Sequence, residues 1–425
     1  MSDGKFIRKI IMKNLLYRMA ASWGLAVLAG SAVIVLLAAC GGTGAAPSHD
    51  NTKLQQTLQI MLQDFVKSDD VMTGASIYVI APHLDLEWGT AIGVTERGGS
   101  VPLTPEHPTY ISSVTKSFVA AAILRLHEED RIDIEAPITR YLREDHLQIL
   151  KDGGYDVDQI TVRHLLMHTS GLADFFYTKT FDQMAPKLMS GELVHLFTLE
   201  EQLRMAMEDK SYGKPGEVYH YSDTGYILLG AMLEKITGKS MAAATRELVD
   251  YDNLGLKNTW WAVLEPRPVG VLPRAHQYYG DYDSYNNDPP FDLYGGGGMI
   301  STPEDMARFF QALFKGGVYA KEDTLDLMLT TLKDKGPKPE DFNGRTTPDY
   351  YGLGIFRGQA GDIMTYGHGG WWGAYGFYVP SLDIAIGVTT TRQEYSKTIE
   401  GFSSTLLEKI QAACRPLSAK SPSDP

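Results

Sequence analysis

The sequence predicts an α+β fold in which one antiparallel sheet is assembled from both chain ends, flanked by helices, with an all-helical segment inserted between them. Three observations predict it. Strand-like apolar runs occupy residues 75–94 and return only after residue 351; helical patterns fill the middle; helix-like segments close each end of the body.

Taken in order, Leu54 to Val66 reads as a helix, and Ala75–Ile80 with Trp88–Val94 read as paired strands. The stretch after Ser113 is rich in Ala and Leu without Gly or Pro, so it reads as a buried helix. Helical patterns follow at Thr161–Met167, Leu199–Met207, Thr224–Ile236 and Pro303–Phe314. Strand patterns resume at Tyr351–Phe356, Ile363–Tyr366, Tyr375–Val379 and Ile384–Thr390, before an amphipathic helix from about Lys397 to Ala412. The body is therefore expected over 53–412, with the helical insertion over roughly 113–314 and the site where insertion and sheet meet. The chain shows no internal repeat, and the Pro- and Ser-rich tail over 413–425 has the composition of disorder.

Residues 1–39 differ in kind from the rest. Lys5, Arg8, Lys9, Lys13 and Arg18 precede an apolar run from Leu25 to Ala39, which is the pattern of an export signal. Leu37-Ala38-Ala39-Cys40-Gly41 resembles a bacterial lipobox, which implies cleavage before Cys40 and lipidation of its thiol. An uncleaved anchor helix is the other reading, although the apolar run is short for a span. Both readings put the body on the outer side of the cytoplasmic membrane, in the cell envelope. Residues 40–52 would then be a flexible tether.

Composition narrows the function. The 425 residues are 44% hydrophobic, with 39 basic and 52 acidic groups, a net charge of −13. Loss of 1–39 removes five basic groups and one acid and takes the charge to −17, a poor surface for nucleic acid. Only two cysteines exist; with Cys40 lipidated, Cys414 has no disulfide partner.

The chemistry-bearing residues begin with Ser113-Val114-Thr115-Lys116. Residues three apart on a helix share a face, so Lys116 can reach Ser113, and a serine hydroxyl needs such a neighbour to become a nucleophile. A helix N-terminus also favours developing negative charge there. A Ser-x-x-Lys spacing arises by chance about once or twice in a chain this long. Ser2-Asp3-Gly4-Lys5 lies in the export segment, and Ser211-Tyr212-Gly213-Lys214 runs into helix-breaking Pro215-Gly216. An N-cap serine with a surface lysine is the bland reading of Ser113 and Lys116. About a hundred residues later comes Tyr221-Ser222-Asp223. Tyr221 suits either proton relay or packing, and Asp223 either a site role or a helix N-cap. Gly367-His368-Gly369-Gly370-Trp371 allows close backbone approach by a ligand, with an N–H for an oxyanion, or a hairpin turn. The Gly295–Gly298 run is open in the same way, as close approach or a flexible connection. Tyr278 to Tyr294 reads as a solvated loop forming a lip.

Rival chemistries lack their residues. There is no His-Glu-x-x-His, the eleven histidines show no metal spacing, and His168 reads as support for a helix end. Gly238-Lys239-Ser240 follows Leu233 where a phosphate loop needs glycine, and no Gly-x-Ser-x-Gly elbow occurs.

Ser113-x-x-Lys116, Leu165 to Leu172 (Leu-Leu-Met-His-Thr-Ser-Gly-Leu), Pro215-Gly216-x5 running into Ser222-Asp223-Thr224-Gly225-Tyr226, Gly296 to Met306, and His368-Gly369-Gly370 together resemble the beta-lactamase-related serine hydrolases. These include class C beta-lactamases, D-alanyl-D-alanine carboxypeptidases and family VIII esterases. The resemblance runs from about 54 to 412 and implies the beta-lactamase/transpeptidase-like fold. It implies Ser113 as nucleophile, Lys116 as its proton acceptor or electrostatic partner, and Tyr221 as general base and then acid. It further implies that Asp223, His368, Gly369, Gly370 and Trp371 face the substrate, with the Ser113 and Trp371 N–H groups as the oxyanion hole. No metal or organic cofactor is implied; the partners would be a small-molecule or peptidoglycan-type substrate and a membrane reached through the lipid. Two departures stand out: Asp223 replaces Asn, and His368-Gly369-Gly370 replaces Lys-Thr-Gly, which weakens recognition of a substrate carboxylate. An ester or D-amino-acid amide is then the expected substrate. A catalytically silent receptor for cell-wall fragments or beta-lactams, built on the same fold, is the alternative.

Overall fold

The computed structural model describes residues 51–286, 291–332, 340–341, 351–360, 363–393 and 397–414. The export segment, Cys40, most of the tether and the tail from 415 lie outside these residues.

Six strands form one antiparallel sheet in the order Phe356–Ala360, Ile363–Gly370, Ala374–Val379, Ile384–Thr390, Gly74–Ala81 and Leu86–Gly93. The first strand in sequence thus pairs with the last, Ile77 opposite Val388 and Val79 opposite Ile386. Side chains alternate across the pleat, which gives the sheet two apolar faces. Ile77, Val79, Ile386 and Val388 point to one face, where Leu58, Leu62 and Phe65 of helix Thr52–Lys67 and Leu406 and Ile410 of helix Lys397–Cys414 cover them. Phe65 stacks on Phe402, ring centres 4.6 Å apart, so the two terminal helices also hold each other.

The opposite face takes helix Pro303–Phe314. It lies so close that a Cβ at Gly387 would strike the Pro303 carbonyl and one at Gly376 the Phe310 ring. That helix therefore belongs to the sheet layers, and the helical insertion ends before it rather than at Phe314. Thr302 caps it through its hydroxyl, Pro303 opens its first turn, and both expected ends, Pro303 and Phe314, are where the structure has them.

Beyond it, the helix Thr115–Glu128, buried along its length except at Arg125 and His127, is the hub of the helical part, packed against helices Asp223–Thr237 and Met241–Val249. Phe118 stacks on Phe309 with centres 3.7 Å apart and joins this hub to the sheet layers. A small three-stranded sheet of Thr109–Tyr110, Met299–Ser301 and Trp260–Trp261 lies beside the Ser113 segment. Among the described residues no helix is long and apolar enough to cross a membrane.

Two expected strands differ. Tyr351–Phe356 is a tight loop closed by a Gly352 N–H to Ile355 carbonyl bond, with Gly354 at φ +77°, and the strand begins only at Phe356. The strand expected over Ile363–Tyr366 runs on to Gly370, because Gly367, His368, Gly369 and Gly370 pair with Phe377, Gly376, Tyr375 and Ala374. The hairpin turn is Trp371–Gly373 instead.

Candidate active site

Ser113 sits in a 3-10 turn, Ser112–Val114, that leads straight into helix Thr115–Glu128. Ser112 has φ +47°, a left-handed conformation that costs a serine about 1 kcal/mol or more and is held by its surroundings. The Trp372 N–H donates to Ser112 Oγ at 3.3 Å. A Cβ on Gly370 would lie 2.0 Å from the Ile111 carbonyl oxygen, so only glycine lets the strand end press against this turn. The hairpin turn carrying Trp371 and the segment carrying Ser113 are thereby locked together.

One helical turn after the serine, Lys116 has no solvent exposure and reaches back, its Nζ donating to Ser113 Oγ at 3.0 Å. Nζ also donates to the Gly296 carbonyl and pairs with the Asp223 carboxylate. The surface-lysine reading fails. The Gly295–Gly298 run serves close approach, since a Cβ on Gly296 would lie 2.6 Å from Asp292 and 2.8 Å from Asp223 oxygens.

Asp223 is the first residue of helix Asp223–Thr237, after Ser222, and its carboxylate goes to Lys116 rather than capping the helix. Its own N–H donates to Asp174 at 3.1 Å. Three acids, Asp174, Asp223 and Asp292, thus crowd one lysine. Burial, then the charge of Asp223, pushes the Asp174 carboxyl up to about 8 and holds Asp292 well above the usual carboxylate range.

Tyr221 is half-buried with its ring centre 5.0 Å from Lys116 Nζ, a cation–π distance, and 4.1 Å from the His168 ring. The structure therefore brings Ser113, Lys116, Tyr221 and Asp223 into one cluster. His368 stands apart from solvent: it is fully buried, its Nδ1 meets the Gly369 carbonyl at 2.7 Å and its Nε2 the Tyr351 hydroxyl at 3.3 Å. Burial and then the Lys116 charge bring it down to about 3, so this imidazole is neutral and offers no cation to a substrate. Trp371 is half-buried at the hairpin turn and packs on Tyr279 at 5.3 Å, while Tyr282 packs on Trp372 at 5.9 Å. The described part of the Tyr278–Tyr294 loop thus packs its rings on the hairpin turn next to the Ser113 segment.

The sequence reading missed Asp174, Asp292 and Tyr351, which come to the site only by folding. His168 has a larger part than supporting a helix end, as its contacts with Ser222 and Tyr351 show. One group of potential metal ligands exists among the described residues, Asp145, His146 and Glu200, but Arg143 already pairs with both acids.

The family model described as Beta-lactamase matches residues 63–401. Among curated proteins, the chain is 28% identical over 261 residues to "Esterase EstB" of Burkholderia gladioli, covering 56% of this chain and 65% of that one. It is 25% identical over 304 residues to "Penicillin-binding protein 4*" of Bacillus subtilis, covering 68% of this chain and 61% of that one. The chain therefore spans less than two thirds of either relative. Among solved structures, D-amino acid amidase of Ochrobactrum anthropi SV3 superimposes with a TM-score of 0.69 at 24% identity, over 85% of this chain and 99% of that one, a likeness of fold.

Proposed function

The chain belongs to the beta-lactamase family, and on that premise we propose that it is a serine hydrolase acting through an acyl-enzyme on Ser113, with a neutral ester or D-amino-acid amide as substrate. The observation that carries the reading is the 3.0 Å contact between the buried Lys116 Nζ and Ser113 Oγ, in a cluster that also holds Asp223 and Tyr221.

The chemistry follows from that cluster. Ser113 Oγ bonds to the substrate carbonyl carbon while its proton passes to the oxygen of Tyr221, which acts as a phenolate held by the Lys116 ammonium. The carbonyl oxygen, now an anion, is met by backbone N–H groups of Ser113 and Trp371, which the Gly370–Ile111 approach holds near each other. As the tetrahedral species collapses, the carbon–oxygen or carbon–nitrogen bond breaks and Tyr221 returns the proton to the leaving group. Water then repeats the sequence on the acyl-serine and restores the Ser113 hydroxyl.

The neutral, buried His368 supports the choice of substrate, since a free carboxylate finds no cation at that position. Relatives named as an esterase and a D-amino acid amidase accord with it. A beta-lactam, which carries a carboxylate, is expected to turn over more slowly than a short neutral ester. We propose further that the enzyme is lipid-anchored through Cys40 on the outer side of the cytoplasmic membrane, from the basic and apolar pattern of residues 1–39.

The test is intact mass after incubation with a serine-reactive fluorophosphonate, beside Ser113→Ala, with turnover of short esters, D-alanyl amides and penicillin. One adduct on the wild type, none on the variant and loss of essentially all turnover is the expected result. No adduct on either protein sinks the hydrolase reading and leaves the silent receptor in its place.

A further inference from the structure

The loop Tyr351–Ile355 lies against the nucleophile helix. Ser117 Oγ donates to the Gly354 carbonyl at 2.7 Å, and a Cβ on Gly354 would lie 2.3 Å from Ala120 Cβ, so the loop has no slack. The fully buried Tyr351 is thereby driven between two buried imidazoles. Its hydroxyl lies 3.1 Å from His168 Nε2 and 3.3 Å from His368 Nε2.

The partners at the outer ends fix the tautomers of both imidazoles. The Ser222 N–H donates to His168 Nδ1 at 3.2 Å, so Nδ1 is bare and His168 carries its proton on Nε2, from which it donates to the Tyr351 oxygen. At the other end the Gly369 carbonyl can only accept, so His368 carries its proton on Nδ1, and its bare Nε2 can accept from the Tyr351 O–H. Tyr351 thus accepts from His168, and its own proton has two acceptors beside it, His368 Nε2 and the hydroxyl of Tyr226, which itself donates to the Leu166 carbonyl at 2.9 Å. Burial, with the nearby Lys116 charge, keeps both rings neutral and the sequence intact.

The two ends of the chain belong to the two halves of the site. Ser222 follows Tyr221 in sequence, and the His168 ring lies tilted against Tyr221, centres 4.1 Å apart; Gly369 precedes the Gly370–Trp372 segment that abuts Ile111 and Ser112, next to Ser113. We propose that Tyr351 is a positioning residue: its hydroxyl, bridging His168 and His368, sets the distance between the proton-transferring Tyr221 and the oxyanion-binding strand end. The inference rests on the hydrolase reading above. Its consequence is chemical, because a misplaced Tyr221 still lets a good leaving group depart as an anion but fails one that must be protonated.

The experiment compares kcat/KM for an ethyl ester and a p-nitrophenyl ester of the same acid, per serine labelled by fluorophosphonate so that misfolded protein is not counted. Tyr351→Phe keeps the ring and removes the hydroxyl. It is expected to lower the ethyl ester by about 100-fold and the p-nitrophenyl ester by about 10-fold or less, a shift in their ratio of about tenfold. His168→Asn is the second variant: asparagine tolerates the left-handed backbone of this position, φ +57°, and can still accept from Ser222, but falls short of Tyr351. The same shift in ratio is expected. Should Tyr351→Phe not fold, His168→Asn decides alone. An active wild type with the ratio unchanged within about twofold in the folded variants overturns the inference while leaving the hydrolase reading in place. A wild type that turns over neither ester and takes no label overturns both.

Discussion

At the scale of single residues the site is dominated by too many acids for one lysine. Burial, then the charge of Asp223, keeps the proton on Asp174, 3.1 Å from the Asp223 N–H and without solvent, until about pH 8. In the unfolded chain the same carboxyl ionises near 3.8. Between about pH 4 and 8 the unfolded state therefore binds fewer protons than the native state, and stability falls as pH rises through that window. One such group contributes a slope of at most about 1.4 kcal/mol per pH unit. Asp174→Asn imitates the protonated acid, so its Tm should fall less between pH 5 and 8 than the wild type's, the difference widening towards pH 8. Parallel Tm profiles would show that Asp174 is ionised in the native state. Asp292 is shifted in the same direction and leaves a residual slope in the variant.

At the scale of elements, the strand end and the nucleophile turn act as one unit, and glycine is what joins them. A methyl group on Gly370 would meet the Ile111 carbonyl at 2.0 Å and the Ser112 Cβ at 3.3 Å, both on the turn that carries Ser113. Gly370→Ala is expected to push the Trp371 N–H out of line by several tenths of an ångström or more and lower kcat/KM on a neutral ester by about 100-fold. The cost to stability should be about 1–3 kcal/mol. Ester turnover within about threefold of the wild type, with Tm lowered, would show that this contact is structural only. The same glycines explain what the sequence disclosed and what it hid. Ile384–Thr390 and Pro303–Phe314 stood out because an apolar period and a Thr-Pro start are local signals. Gly367–Gly370 looked like a turn because glycine is a poor strand former, yet packing against Ile111 and Phe377 demands it there. Ser113 and Lys116 were legible since three residues separate them. Asp174, Asp292 and Tyr351 carry no local pattern, and reach the site from 58 to 235 residues beyond Lys116.

At the scale of the whole molecule, the two faces of the sheet divide the work. The helices Thr52–Lys67 and Lys397–Cys414 lie together on one face, joined by the Phe65–Phe402 stack, while Ser113 and its partners lie on the side of the helical insertion. The segment that leads to Cys40 therefore enters the body at Asn51 and Thr52, on the face turned away from the nucleophile. Tension or bulk at that end has the thickness of the sheet between it and Ser113. Cys40→Ala removes the thiol that lipid would modify and leaves every contact of the site in place. The expected result is loss of metabolic palmitate label and a shift of the protein from the membrane pellet to the soluble fraction or to the uncleaved precursor, with kcat/KM per labelled serine within about twofold of the wild type. A variant that stays processed and membrane-bound, with unchanged label, would show that the membrane is held by something other than a lipid on Cys40.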